Sequence, residues 1–172
     1  MPEWLGPPSY EVGEPVPARA VVARSDAAAI VLQGIVAYSN GFRLAIGARV
    51  RDADPWIDVL GGRGGPPWER ADLPDTLLRL GLEMADGRRA TNLDRPAFPP
   101  ASGAPRLVFM VGGGGGGAVW DLNAWSWPLP PPEAFDLVSE WPGLGIPLTR
   151  HALDGTAIRA AAVRSTPLWE PD

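Results

Sequence analysis

The chain has 172 residues, 45% of them hydrophobic, enough for a single domain that hides roughly 70% of its unfolded surface. A formal net charge of −5, from 20 acidic against 15 basic residues, argues against a nucleic-acid partner, because backbone recognition needs clustered cations. The absence of cysteine excludes disulfides, thiolate nucleophiles and thiolate-bound zinc.

All fifteen basic residues are arginine. With the abundant Ala, Gly and Pro this reads as GC-rich coding bias, so the use of arginine in place of lysine is not by itself a sign of chemistry at any one position. The N-terminus lacks the basic start and apolar core of a signal peptide. The most apolar stretch, 27–37, is broken by Gln33 and Gly34 and falls short of the ~20 residues that span a bilayer. A cytoplasmic protein with no membrane partner is expected.

Residues 1–17 are proline-rich and aperiodic and read as an irregular arm, pinned by Trp4 and Tyr10, ahead of a single domain over 18–172. Strands are predicted at 18–24, 28–38 and 42–51. The last alternates Phe42, Leu44, Ile46, Ala48 and Val50 against Arg43, Ala45, Gly47, Arg49 and Arg51. Asn40-Gly41 marks a turn, and a three-residue loop, Ser39-Asn40-Gly41, sets Tyr38 opposite Phe42 and Ile30 opposite Val50. Residues 52–74 form a long polar excursion, of the kind that is functional or disordered in compact domains. A second three-residue loop, Ala85-Asp86-Gly87, joins the alternating Leu78, Leu80, Leu82 and Met84 to a partner strand and places Glu83 opposite Arg89.

After an irregular piece at 94–105 come the apolar run 107–111, six consecutive glycines, Gly112 to Gly117, and a tryptophan-rich strand over 118–127. A P-loop would close on Lys-Ser/Thr, whereas Ala118-Val119 follow here. The glycines therefore read as a mobile hairpin tip, replaceable by Ala or Ser with little change in stability. The run Pro128 to Pro132 cannot donate ladder hydrogen bonds and is expected to cross between sheets. Strands at 135–141 and 146–153 follow, then a helix over 157–164 ended by Pro167, with Leu168-Trp169 folding back over apolar surface. The sum is an all-β, antiparallel two-sheet β-sandwich with one short C-terminal helix.

Trp120, Trp125, Trp127 and Trp141 are the candidate ligand-binding residues, because aromatic strips stack on sugar rings. Core packing is the competing use. Trp125 and Trp127 share a face and Trp120 takes the other, so no flat three-ring platform follows, and Trp127 is assigned to the core. Asp52, Asp54 and Asp58, beside Pro55-Trp56, have a spacing compatible with calcium but lack the EF-hand order, and aspartate is also a turn former. His151 is the only histidine, and no Gly-x-Ser-x-Gly elbow accompanies it. Carboxylate pairs for glycoside hydrolysis, Glu133 or Glu140 with Asp136, depend on a separation that only the fold sets.

The segments Trp125-Ser126-Trp127-Pro128-Leu129-Pro130-Pro131-Pro132, Glu140-Trp141-Pro142 and Gly145-Ile146-Pro147-Leu148-Thr149-Arg150 resemble a group of uncharacterised small proteins of high-GC actinobacteria. Residues 87–93 are similar too. The resemblance implies a cytoplasmic actinobacterial protein and brings no activity, cofactor or catalytic residue. The expected function is a non-enzymatic interaction module whose partner is another protein, a second copy of this chain included. A small-ligand binder for carbohydrate or calcium is the alternative, and a hydrolase comes third. No cofactor is implied.

Overall fold

The computed structural model of the chain describes residues 2–54, 57–62, 64–95 and 107–169. The expected loop residues Pro55-Trp56 and most of the piece at 94–105 lie outside them. In chain order the strands are β1 (Glu11–Val12), β2 (Glu14–Val16), β3 (Ala20–Arg24), β4 (Ala28–Ala37), β5 (Phe42–Val50), β6 (Arg79–Glu83), β7 (Arg89–Thr91), β8 (Val108–Gly116), β9 (Val119–Trp127), β10 (Ala134–Trp141) and β11 (Ile146–Asp154). Helix α1 (Gly155–Ala162) and β12 (Thr166–Pro167) complete the chain. The class is the expected all-β sandwich with one short helix. One sheet runs β2-β4-β5-β9-β8, with β3 on the same edge of β4 as β2, and the other runs β11-β10-β6-β7.

Alternation explains which residues seal the core. Ile30 and Leu32 of β4, Phe42, Leu44, Ile46 and Ala48 of β5, and Leu122 and Ala124 of β9 face Leu80 and Leu82 of β6 and Leu137 and Trp141 of β10, and all are essentially inaccessible to solvent. Phe42 meets Phe135 edge-on across the layers, with ring centroids 5.7 Å apart. The proline run carries the chain from β9 in one sheet to β10 in the other, as expected. Helix α1 is capped by Asp154, whose side chain accepts from the Ala157 N–H at 3.0 Å, and it buries Ile158, Ala161 and Ala162.

The two hairpins come out differently. At the second, Glu83 stands opposite Arg89, the Met84 N–H donates to the Arg88 carbonyl, and Gly87 is left-handed with φ +86°, as expected. At the first, Ala37 stands opposite Phe42 and Leu32 opposite Ile46. The loop therefore has four residues, Tyr38 to Gly41, and Gln33 is an extra residue bulged out of the ladder. The bulge resets the alternation, so that Ala28, Ile30 and Leu32 point inward before it and Ile35 and Ala37 after it. A register derived from unbroken alternation misses this.

The proline-rich start is also more regular than expected. β2 pairs with β4, and β1 pairs with β12 in a separate two-stranded ribbon that joins the two ends of the chain. Asn40 donates to the carbonyls of Glu3 at 2.7 Å and Gly6 at 3.0 Å, and Glu11 accepts from the Ser39 N–H and hydroxyl, both at 2.6 Å. These bonds dock the segment on the β4–β5 turn.

The glycine run is not a tip. Gly112 to Gly116 continue β8 in register with β9, from Gly112 opposite Asn123 to Gly116 opposite Val119, and only Gly117 and Ala118 turn. Two of the glycines are fixed by crowding. A Cβ on Gly113, whose φ is +131°, would strike the Asp121 carbonyl oxygen and lie 2.8 Å from Leu122 Cα, and one on Gly115 would strike the Val119 carbonyl oxygen. The intervening Gly112, Gly114 and Gly116 would meet nothing within 4 Å. Substitution should therefore alternate in effect, contrary to the uniform tolerance of a mobile tip. Gly113→Ala is expected to cost about 2 kcal/mol or more, whereas Gly114→Ala should be neutral or stabilising by about 0.5 kcal/mol. Chemical denaturation of the two variants checks this, and equal midpoints would contradict the ordered strand.

Candidate functional site

The four tryptophans do not converge. Trp141 is wholly buried, and its indole N–H donates to the Thr76 carbonyl at 2.8 Å. Trp120 lies on the inner face of β9 opposite Ala48, half-buried, and its indole nitrogen has no partner among the described residues. Trp125 and Trp127 lie on the outer face, which corrects the assignment of Trp127 to the core beside Trp125. The inner positions belong instead to Ala124 and Ser126, because Phe42 and Phe109 stand on either side of Ser126 in register and leave room only for a small residue.

Trp125 is nevertheless covered. Its N–H donates to the Trp4 carbonyl at 3.1 Å, its ring meets Tyr38 edge-on at 6.0 Å, and it lies so close to Gly41 that a Cβ there would sit 2.8 Å from the ring carbons. With Trp125 and Trp141 sealed, the rings form no stacking surface.

The aspartates separate as well. Asp52 and Asp54 are exposed. Asp58 accepts from the Gly62 N–H at 2.8 Å and pairs with Arg70 at 3.6 Å. Arg70 in turn donates to the carbonyls of Gly61 at 2.8 Å and Gly65 at 3.0 Å, so Asp58 helps to hold the 52–74 loop in shape. Among the described residues no three His, Cys, Asp or Glu side chains gather as metal ligands. His151 lies on β11 opposite Leu137, and Glu140 is paired with Arg79 at 2.8 Å.

Charge concentrates on the outer face of the four-stranded sheet. Glu83 accepts from Arg150 at 2.7 and 3.3 Å and pairs with Arg89 at 3.1 Å. The hydrogen bond from Arg150 holds the Glu83 carboxyl below the usual carboxylate range, against a smaller opposing effect of desolvation. These pairs rim a 370 Å³ hollow floored by Gly81 and Val138. The pairing satisfies the charges of Glu83, Arg89 and Arg150 among themselves, and Asp136 stands on the same face opposite Glu83.

What sequence reasoning missed lies at the joined termini. Leu168-Trp169 do not fold back. Leu168 is 50% and Trp169 67% exposed, alongside Tyr10 and Val12, while Val163 at the end of α1 is 86% exposed. The Leu168 N–H donates to the Tyr10 carbonyl at 2.6 Å, which extends the β1–β12 ribbon to Tyr10 and Leu168. The only signal was the apolar content of two segments too short to show periodicity.

Two outcomes follow from this geometry. Trp141→Ala is expected to cost about 3–5 kcal/mol, and Trp127→Ala, half-exposed on the outer face, about 1–2 kcal/mol; thermal melting separates them. A carboxyl with a lowered folded-state pKa stabilises the fold above its ordinary value, 4.5 for Glu83, and that stabilisation disappears as pH falls through the folded-state pKa. Arg150→Ala should raise the Glu83 pKa and flatten this part of the acid limb, which a carbon-13 NMR titration of the carboxyl reads directly.

No helix of the described residues is long and apolar enough to cross a membrane. No protein-family model matches the chain, and no curated protein or solved structure matches it either.

Proposed function

We propose that this chain is a non-enzymatic β-sandwich that works by contact with another protein, and that the apolar ribbon at its joined termini is the contact surface. The observation that carries the reading is the exposure of Tyr10, Val12, Leu168 and Trp169 on and beside the paired β1 and β12. Contiguous exposed apolar surface marks interaction sites, and tryptophan and tyrosine dominate binding energy when a partner desolvates them. A two-stranded ribbon of this kind is marginal by itself in water, so a partner that covers it also stabilises it. The cysteine-free, lysine-free composition and the sequence resemblance support the cytoplasm of a high-GC actinobacterium as the setting.

Affinity capture with the wild type and with a Leu168→Asp/Trp169→Asp variant tests the reading. The wild type is expected to retain a discrete protein at stoichiometric level that the variant loses at least tenfold, while both melt at the same temperature. Sedimentation of the purified chain distinguishes a second copy from a different protein. Retention of the same protein by the variant, or a wild-type monomer that holds nothing, would refute the proposal.

A further inference from the structure

The outer face of the six-stranded sheet carries a row of small residues that no requirement of the fold explains. Gly34 of β4 stands opposite Ala45 of β5, Ala45 opposite Asn123 of β9, and Asn123 opposite Gly112 of β8. One register line thus crosses four strands with nothing larger than asparagine on it. Three inter-strand spacings make its floor roughly 14 Å long.

The neighbouring rows are taller. On one side stand Val36, Arg43, Trp125 and Met110 in the same cross-strand order. On the other, Arg49 reaches Asp121 at 3.0 Å and Gln33 reaches it at 3.5 Å, closing over Gly47. The result is a trough of 760 Å³ that begins at Arg19, where the chain passes from β2 to β3, and runs over Gly34, Ala45 and Asn123. Cβ atoms on Gly34 and Gly112 would meet nothing within 4 Å, so both ends of the floor are open above.

The trough's charge does not match that of the chain. The protein carries −5 overall, yet the one carboxylate at this wall, Asp121, is already held by Arg49, and among the described residues neither Arg19 nor Arg43 has a carboxylate within 4.0 Å. The Arg43 guanidinium is steadied over the Tyr38 ring at 5.9 Å. A straight, shallow floor admits a chain in extended conformation better than a compact molecule, and unpaired guanidinium groups are the favoured donors to carboxylates.

We propose that this trough docks an extended acidic segment of a partner protein, its carboxylates on Arg19 and Arg43 and its backbone over Gly34, Ala45 and Asn123. The site is separate from the apolar ribbon, and neither proposal depends on the other. Hexaglutamate, titrated into the full chain and followed through backbone amide NMR, is the probe. Saturable shifts are expected at Gly34, Ala45, Asn123 and Gly112, and they should weaken as salt rises. Arg43→Glu should lower the affinity at least tenfold, and so should Gly34→Leu, which leaves every charge in place and fills the floor. Arg19→Glu, at an exposed position outside the core, provides the same test should either of the others disturb folding. The proposal is overturned by shifts that cluster elsewhere or do not saturate, by affinity unchanged in the variants, or by hexaglutamine binding as tightly as hexaglutamate.

Discussion

Burial of the inner faces of β5 and β10 against each other is the constraint from which most of the other placements follow. Both strands are flanked on both sides, by β4 and β9 in one sheet and by β6 and β11 in the other, so their inward residues cannot change face without exposing the core. The contact of Phe42 with Phe135 sits where the two meet. Because Phe42 must point inward, Ala37 opposite it does so too. Leu32 also points inward, five residues earlier, and an odd interval cannot be met by simple alternation. The bulge at Gln33 resolves the conflict. It leaves Gln33 on the outside, where it reaches Asp121, and it puts Gly34 on the outer face beside it.

The same constraint decides the tryptophans. With Phe42 and Phe109 both directed at the position of Ser126, the inner face of β9 has room for Leu122, Ala124 and Ser126 and not for two indoles. Trp125 and Trp127 are displaced to the outer face, where Trp4 of the N-terminal segment and Tyr38 of the β4–β5 loop cover the first of them. That cover converts a ring available for stacking into part of a secondary apolar cluster. Trp4 near the start of the sequence and Trp125 of β9 are thus joined by a hydrogen bond spanning 121 positions.

What was legible in the sequence was whatever alternation or a turn residue could report locally. The strands around Leu44, Leu80, Leu137 and Leu153, the Ala85-Asp86-Gly87 loop with Glu83 opposite Arg89, the proline crossing and the existence of a C-terminal helix, expected over 157–164 and found at Gly155–Ala162, all belong to that class. The errors share another origin. The bulge, the outward tryptophans and the exposed ribbon depend on which strand lies beside which, information that local periodicity does not carry. The glycines illustrate it most directly. Read alone, six glycines in a row have the entropy of a loop, but Gly113 and Gly115 must lack side chains because β9 approaches them so closely, and the pairing with β9 orders the whole run.

The two outer faces differ in what they leave available to a second molecule. On the four-stranded sheet Arg79, Arg89 and Arg150 each have a carboxylate within 3.1 Å, and a ligand there would have to break an existing pair to make a new one. Exposed pairs contribute little to stability, typically below about 1 kcal/mol, but they neutralise the surface at short range and give a charged ligand no net attraction. On the six-stranded sheet Arg19 and Arg43 have no acidic partner among the described residues, and side chains are small or absent along the row from Gly34 to Gly112. Its far end meets β8, the edge strand of that sheet, whose alternate N–H and C=O groups face away from β9. The row crosses the strands, so a segment lying in it runs across β8 rather than alongside it, over backbone bare of side chains at Gly112. Where acidic, chain-like ligands are concerned, the asymmetry between the faces comes less from an excess of arginine on one than from the placement of glutamates on the other.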